Sequence, residues 1–113
     1  LHTAYRRQRQ MCIRDRAMQG TEGMFQLLLS HNPTHWRREV LPQSPIDLML
    51  AGHTHAMQMA LGHHSPSSFV YPEWSGMYSE EGRNLYVNVG LGFVGLPFRF
   101  GAWPEITVLT LRR

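Results

Sequence analysis

Ile46-Asp47-Leu48-Met49-Leu50-Ala51-Gly52-His53-Thr54-His55 is the stretch whose reading decides the fold. From Ile46 to Ala51 the chain is apolar apart from Asp47, too short for an ordinary helix and closed by a glycine, which predicts a buried β-strand. Gly52 is expected to let the backbone turn tightly at the strand end. His53 and His55 stand at i and i+2, so on extended backbone both rings face one side. Imidazole is the commonest metal ligand among side chains, and a pair at this spacing can serve one ion or two adjacent ones.

Working upstream, Met24-Phe25-Gln26-Leu27-Leu28-Leu29-Ser30 is another short apolar run, and it closes on His31-Asn32-Pro33. It reads as a second buried strand, because Pro33 biases Asn32 away from helix. Thr34 is then placed to cap a short helix from His35 to Leu41, with Trp36 and Val40 on one face and Pro42 ending it. Two strand ends therefore each deliver a histidine, and in α/β sheets ligand sites gather at the carboxyl ends of strands. His31, His53 and His55 are expected to converge there.

Downstream, the Gly, Pro and Ser rich stretch from Gly62 to Ser68 reads as a loop that exposes His63 and His64. Tyr71-Pro72-Glu73-Trp74 and Gly76-Met77-Tyr78 read as loops anchored by aromatic rings; shaping a substrate mouth is the alternative use of Tyr71, Trp74 and Tyr78, and loop anchoring the commoner one. Leu85 to Val89 and Ile106 to Leu111 have the β-branched or alternating character of strands. The intervening Gly90 to Gly101 reads as a bent connection. Its Phe93-Val94, Leu96-Pro97-Phe98 and Phe100 surround Arg99 and are expected to be core, although an exposed cluster of this kind would suit a lipid-linked phosphate or a membrane surface.

At 113 residues, 42% hydrophobic and 17% charged, the chain has the composition of an ordered globular protein, with no membrane-spanning segment or signal peptide to be read. Arg6, Arg7, Arg9, Arg14 and Arg16 stand against Asp15 alone, so residues 1–16 carry more than the whole formal charge of +3. A basic stripe confined to one end gives no reason to expect a nucleic-acid partner. That end shows no sustained period, so no packed element is expected in it, and RRQRQMCIRDR resembles translated sequencing-adapter read-through; residues 1–16 are taken as extraneous or disordered. Cys12 is the only cysteine, which rules out a disulfide within the chain.

LLLSHNPTHW followed by IDLMLAGHTHAMQ is similar to the closing metal motifs of the calcineurin-like metallophosphoesterases. The tail, with YPEWSGMY, LYVNVGLG and PEITVLTL, resembles a bacterial subgroup often preceded by a membrane segment. The likeness runs from about Met24 to Leu111, with Ala56 where the subgroup usually has Gly and Val89 where Arg is frequent. It implies an α/β fold, of which residues 17–113 are the C-terminal half of a two-sheet sandwich flanked by helices. By the same resemblance His31 and His53 bind one divalent ion and His55 the other, the pair being Mn, Fe or Zn. Asn32 and Gln58 are candidates to orient ligands or substrate from behind.

The implied activity is hydrolysis of a phosphomono- or diester, lipid-linked substrates among them, with membrane association only through a segment upstream. The family's Asp-x-His, bridging Asp and Asn-His motifs have no counterpart here, and of the two aspartates Asp47 opens a strand, where a fold role is expected. A dinuclear site needs anionic ligands to hold two dications together, so the chain by itself is expected to be an incomplete, inactive fragment. A non-catalytic scaffold of the same fold, and an unrelated metal hydrolase with an HxH pair, are the competing readings. Retention of His31, His53 and His55 together speaks against the first. The position of the pair after an earlier strand–helix unit speaks against the second.

Overall fold

The computed structural model describes residues 2–112. Their sheet has four strands, β1 (Leu27–Leu29), β2 (Leu48–Ala51), β3 (Gly76–Glu80) and β4 (Arg83–Val87), in the order β1-β2-β4-β3. β1, β2 and β4 run parallel and β3 is antiparallel to β4. The expected α/β class is therefore what the chain adopts, in the form of one mixed sheet among the described residues.

The core follows from strand register. Leu28 pairs with Met49, Met49 with Leu85 and Leu85 with Tyr78, so a single row of large side chains crosses all four strands. Ala51 and Val87 form the next row. Because strand side chains alternate between faces, both rows point the same way, and they meet Trp36, Val40 and Ile46 in one cluster. Met49, Leu85, Val87, Trp36 and Val40 are fully buried there, each contributing roughly 1.5–3 kcal/mol of transfer free energy. On the opposite face Leu27 and Leu29 are 48% and 74% exposed.

Trp36 and Val40 reach that core from one π-helical turn (Trp36–Val40) that continues into a short α-helix, Leu41–Gln43. The expected roles of Thr34 and Pro42 are both corrected. His35 is the N-cap and makes no side-chain cap; the turn is formed instead by Asn32, whose Oδ1 accepts from the Thr34 N–H at 2.9 Å and its hydroxyl at 2.8 Å. Pro42 lies in the first turn of the following helix, where the missing N–H costs nothing. Arg83 closes the helix end by donating to the carbonyls of Leu41 at 2.8 Å and Ser44 at 2.6 Å.

Other expectations fail for physical reasons. The chain from His2 to Met18 is an α-helix, α1, where no element was expected; it is free of Gly and Pro and rich in Arg, Gln, Ala and Met, so propensity supplies what periodicity lacks. Its Arg14 donates to the Glu39 carbonyl at 3.3 Å, and Met18 packs on the core. Gly76 to Tyr78, expected as loop, belong to a hairpin strand turned by Glu81 and Gly82, which have φ of 54° and 74°. Positive φ at both central residues gives the twist that joins antiparallel strands through two residues. Ile106 to Leu111, expected as a strand, form none; Ile106 and Val108 are 81% and 87% exposed. Strand-forming side chains do not make a strand without a neighbouring backbone to pair with.

Candidate metal centre

Parallel pairing places the histidines. The ladder of β1 and β2 continues past both strands through Ser30 N–H to Leu50 C=O at 3.0 Å and Gly52 N–H to His31 C=O at 3.1 Å. This sets His31 and His53 side by side at the carboxyl edge. His31 Nε2 lies 3.0 Å from His53 Nδ1, with the rings edge to face at 4.8 Å between centroids. Two nitrogens each about 2.1 Å from one ion would stand about 3.0 Å apart in octahedral and about 3.4 Å apart in tetrahedral geometry, so the two rings lie near the spacing that one ion would require.

The tight turn is made by the histidines themselves. Gly52 keeps an ordinary φ, and a methyl there would meet only the Asn88 carbonyl at 3.8 Å, which corrects its expected role. Positive φ falls instead on His53 at 71°, His55 at 48°, Ala56 at 52°, Met57 at 46° and Gln58 at 60°. Left-handed backbone costs roughly 1–2 kcal/mol per residue outside glycine and persists only where surroundings enforce it. Here they do: Ala56 is fully buried, the Thr54 hydroxyl donates to the Trp74 carbonyl at 2.7 Å, and Ser65 Oγ donates to the Ala56 carbonyl at 2.7 Å. Trp74 is adjacent to Glu73, a 3% exposed carboxylate paired with Arg37.

His55 faces another neighbourhood. Its Nδ1 is 3.4 Å from Arg99 Nη2 and its ring packs against Gly90. Burial, then the Arg99 charge, then His53 and His31 hold its pKa below the ordinary value, which favours the neutral ring that a metal ligand requires. Among the described residues no three His, Cys, Asp or Glu side chains are arranged round one point as a set of ligands. His31 and His53 are brought together, and His55, near enough for both to lower its pKa, has its Nδ1 against Arg99.

The second-rank candidates do other work. Asn32 makes the turn described above. Gln58, 8% exposed, donates to the carbonyls of Leu96 at 3.0 Å and Phe98 at 2.9 Å and accepts from the Val94 N–H. It fastens the Gly-rich segment beneath the histidine turn. Arg99 does the same from the other side, donating to Gly92 at 2.8 Å, Ala102 at 2.9 Å and Val89 at 2.9 Å. Gly101 lets the segment pass, because a Cβ there would lie 1.8 Å from the Ala60 carbonyl oxygen. The apolar residues of this segment, expected in the core, are exposed: Phe93, Val94, Leu96 and Phe98 show 59%, 64%, 72% and 53% of their surface. Polar clamps at Gln58 and Arg99 turn the backbone inward and leave the rings outside. His63 and His64 are exposed as expected.

The tail returns beneath this segment through Glu105. Its N–H donates to Gly90, and its carboxylate accepts from the Thr107 hydroxyl at 2.6 Å, the Tyr86 hydroxyl and the Val89 N–H. Burial works to raise the Glu105 pKa, but these hydrogen bonds outweigh it and hold the carboxyl below its ordinary value. A depressed carboxylate pKa contributes stability above the unfolded value that is lost as pH falls through the folded one. The melting temperature should therefore drop below about pH 4.5, and Glu105→Gln should flatten that part of the profile; an unchanged acid limb in the variant would remove Glu105 as its source.

No family model matches the chain, and no solved structure does. Among curated proteins it is 40% identical over 97 residues to the uncharacterized metallophosphoesterase YkuE of Bacillus subtilis, covering 81% of this chain and 32% of that protein. It is 34% identical over 87 residues to the transmembrane protein with metallophosphoesterase domain of Bos taurus, covering 76% and 19%. An uncharacterized metallophosphoesterase of Helicobacter pylori is 36% identical over 89 residues, covering 75% and 23%. The matches place the chain in a hydrolase family. It belongs to the metallophosphoesterases, a family whose members work with divalent metal ions, and it spans about a third or less of the length of these relatives.

Proposed function

We propose that this chain supplies the histidine-bearing part of a phosphomono- or diesterase that uses two divalent ions, Mn, Fe or Zn. The observation that carries the reading is the 3.0 Å approach of His31 Nε2 and His53 Nδ1 at the carboxyl edge of adjacent parallel strands. His31 and His53 would hold one ion and His55 the other. Such a pair of ions, when bound, supplies an activated water and neutralises charge on the phosphoryl oxygens.

The histidines contribute neutral donors only, so the anionic ligands and the general acid would come from elsewhere in a longer parent chain. A second sheet from the same parent would cover the face that leaves Leu27, Leu29 and Met77 exposed, completing a sandwich. In this reading residues 17–113 are the C-terminal part of one such domain, and residues 1–16 are extraneous to it. Tyr5 and Ile13 on α1 are exposed, while Arg14 of the same helix reaches the Glu39 carbonyl.

Exposed Phe93, Val94, Leu96 and Phe98 lie on the segment that Arg99 ties beside His55. A phosphate with an apolar, lipid-like substituent would find a greasy rim there next to the histidines. Among the described residues no helix is long and apolar enough to cross a membrane, and membrane association would come from an upstream segment of the parent. The test is hydrolysis of an activated aryl phosphate. The parent should turn over only with Mn, Fe or Zn, and the 113-residue chain should not turn over at all; activity of the parent that survives exhaustive chelation would overturn the reading.

A further inference from the structure

The Gly, Pro and Ser rich segment after the histidine turn is built more firmly than a surface loop. Ser65 and Ser67 are 5% and 0% exposed. Ser65 Oγ binds the Ala56 carbonyl at 2.7 Å and stands 2.8 Å from Ser67 Oγ, and it accepts from the Ser67 N–H at 3.1 Å. The short helical turn Pro66–Phe69 then ends in a 2.7 Å hydrogen bond from the Tyr71 N–H to the Ser67 carbonyl. The backbone of Tyr71 is thereby tied, through two buried hydroxyls, to the residue next to His55. Its ring meets His53 edge to face, with centroids 5.5 Å apart at 86°, and its hydroxyl lies 2.9 Å from His53 Nε2.

The two nitrogens of His53 are therefore divided between partners. Nδ1 faces His31, and Nε2 faces the Tyr71 oxygen. A neutral imidazole carries one proton, and the nitrogen that binds a metal must be the bare one. We propose that Tyr71 is a positioning residue that accepts a hydrogen bond from His53 Nε2–H and so fixes the tautomer with Nδ1 bare toward His31. In the metal-free chain that Nδ1 accepts from His31 Nε2–H, a proton that leaves Nε2 when an ion takes its place. The inference rests on the metal-site reading given above, and it adds what holds the ligand ready. Donation from Tyr71 to Nε2 would place the proton on Nδ1, facing His31, and would close that nitrogen to an ion.

Two readouts on the 113-residue chain test this, neither of which needs turnover. The first is ¹⁵N NMR of the histidine rings in the metal-free protein at a pH where they are neutral. His53 should appear as the Nε2–H tautomer, and Tyr71→Phe should shift it toward a mixture. The second is titration with Zn²⁺, in which Tyr71→Phe should weaken binding about 10–100-fold, the usual cost of losing the group behind a metal-binding histidine, and His53→Ala should abolish it. A wild-type spectrum with the proton on His53 Nδ1 overturns the inference without any variant. Zn²⁺ binding lost in His53→Ala but unaltered in Tyr71→Phe overturns the inference and leaves the metal site standing. Binding that survives His53→Ala overturns both.

Discussion

If the proposed parent enzyme is made, replacing His53 or His55 by alanine in it should lower its rate on an aryl phosphate at least about 100-fold, since a lost metal ligand would affect both ion occupancy and the charge available to the transition state. The two substitutions should not be alike in other respects. In the proposed site His53 would share an ion with His31, whose Nε2 lies 3.0 Å from its Nδ1, so its loss should reduce the number of tightly held ions, measured by metal content after gel filtration. His55 Nδ1 meets Arg99 and its ring lies against Gly90, so in the proposed site its loss should spare an ion held by His31 and His53. His63 is exposed in the loop beyond, and His63→Ala should leave the rate within about twofold, as expected for a surface change remote from the site. An enzyme that keeps full activity without His53 and His55 would show that these rings were misassigned.

Trp36→Ala should cost about 3–5 kcal/mol in urea unfolding, the usual range for deleting a buried aromatic ring. Trp36 is fully buried in the cluster with Val40, Ile46, Met49, Leu85 and Val87, and it ties the π-helical turn to the sheet. Small domains are stable by only about 5–15 kcal/mol, so the variant should be close to unfolding at ordinary temperature. Trp36→Phe should be much milder. The indole Nε1 is buried without a hydrogen-bond partner, and removing such a group offsets part of the volume lost. The Arg83 guanidinium lies 6.0 Å from the ring centroid, the outer limit of a useful cation–π contact, and should add little. Equal destabilisation by alanine and phenylalanine would mean that the indole N–H makes a hydrogen bond in solution.

The strands that carry the site were legible because their signals are local. A short apolar run ending in Gly-His or Ser-His announces both the strand and where its histidine will stand, and Asp47 announces its fold role by position. Its carboxylate accepts from the Gln26 N–H at 2.7 Å, joining the entries of β1 and β2. The failures share a cause. Residues 106–111 have the composition of a strand, but pairing depends on a partner backbone, and the tail is held through Glu105 and Thr107 against Tyr86, Asn88, Val89 and Gly90. The Phe93 to Phe98 cluster has the composition of a core, but Gln58 binds the Leu96 and Phe98 carbonyls, Arg99 binds the flanking Gly92 and Ala102 carbonyls, and the rings are set outside. A bulky apolar residue does not state which side of its backbone the protein will occupy.

Taken alone, then, the sequence determined that two strands would lead into His31 and His53, since the apolar runs closed by Pro or Gly are there too short for an ordinary helix; that the strands pair parallel came from the structure. It determined the Trp36 and Val40 face, because i and i+4 share a side on any helical turn. Only the tertiary structure decided that His31 and His53 would touch through Nε2 and Nδ1, that His55 would turn toward Arg99, and that Tyr71 would stand behind His53. Those contacts join residues 18 to 44 positions apart, and they rest on left-handed backbone from His55 to Gln58 that no local preference favours. Long-range burial of Ala56, Ser65 and Ser67 enforces that conformation, and such burial becomes visible only when the chain has closed on itself.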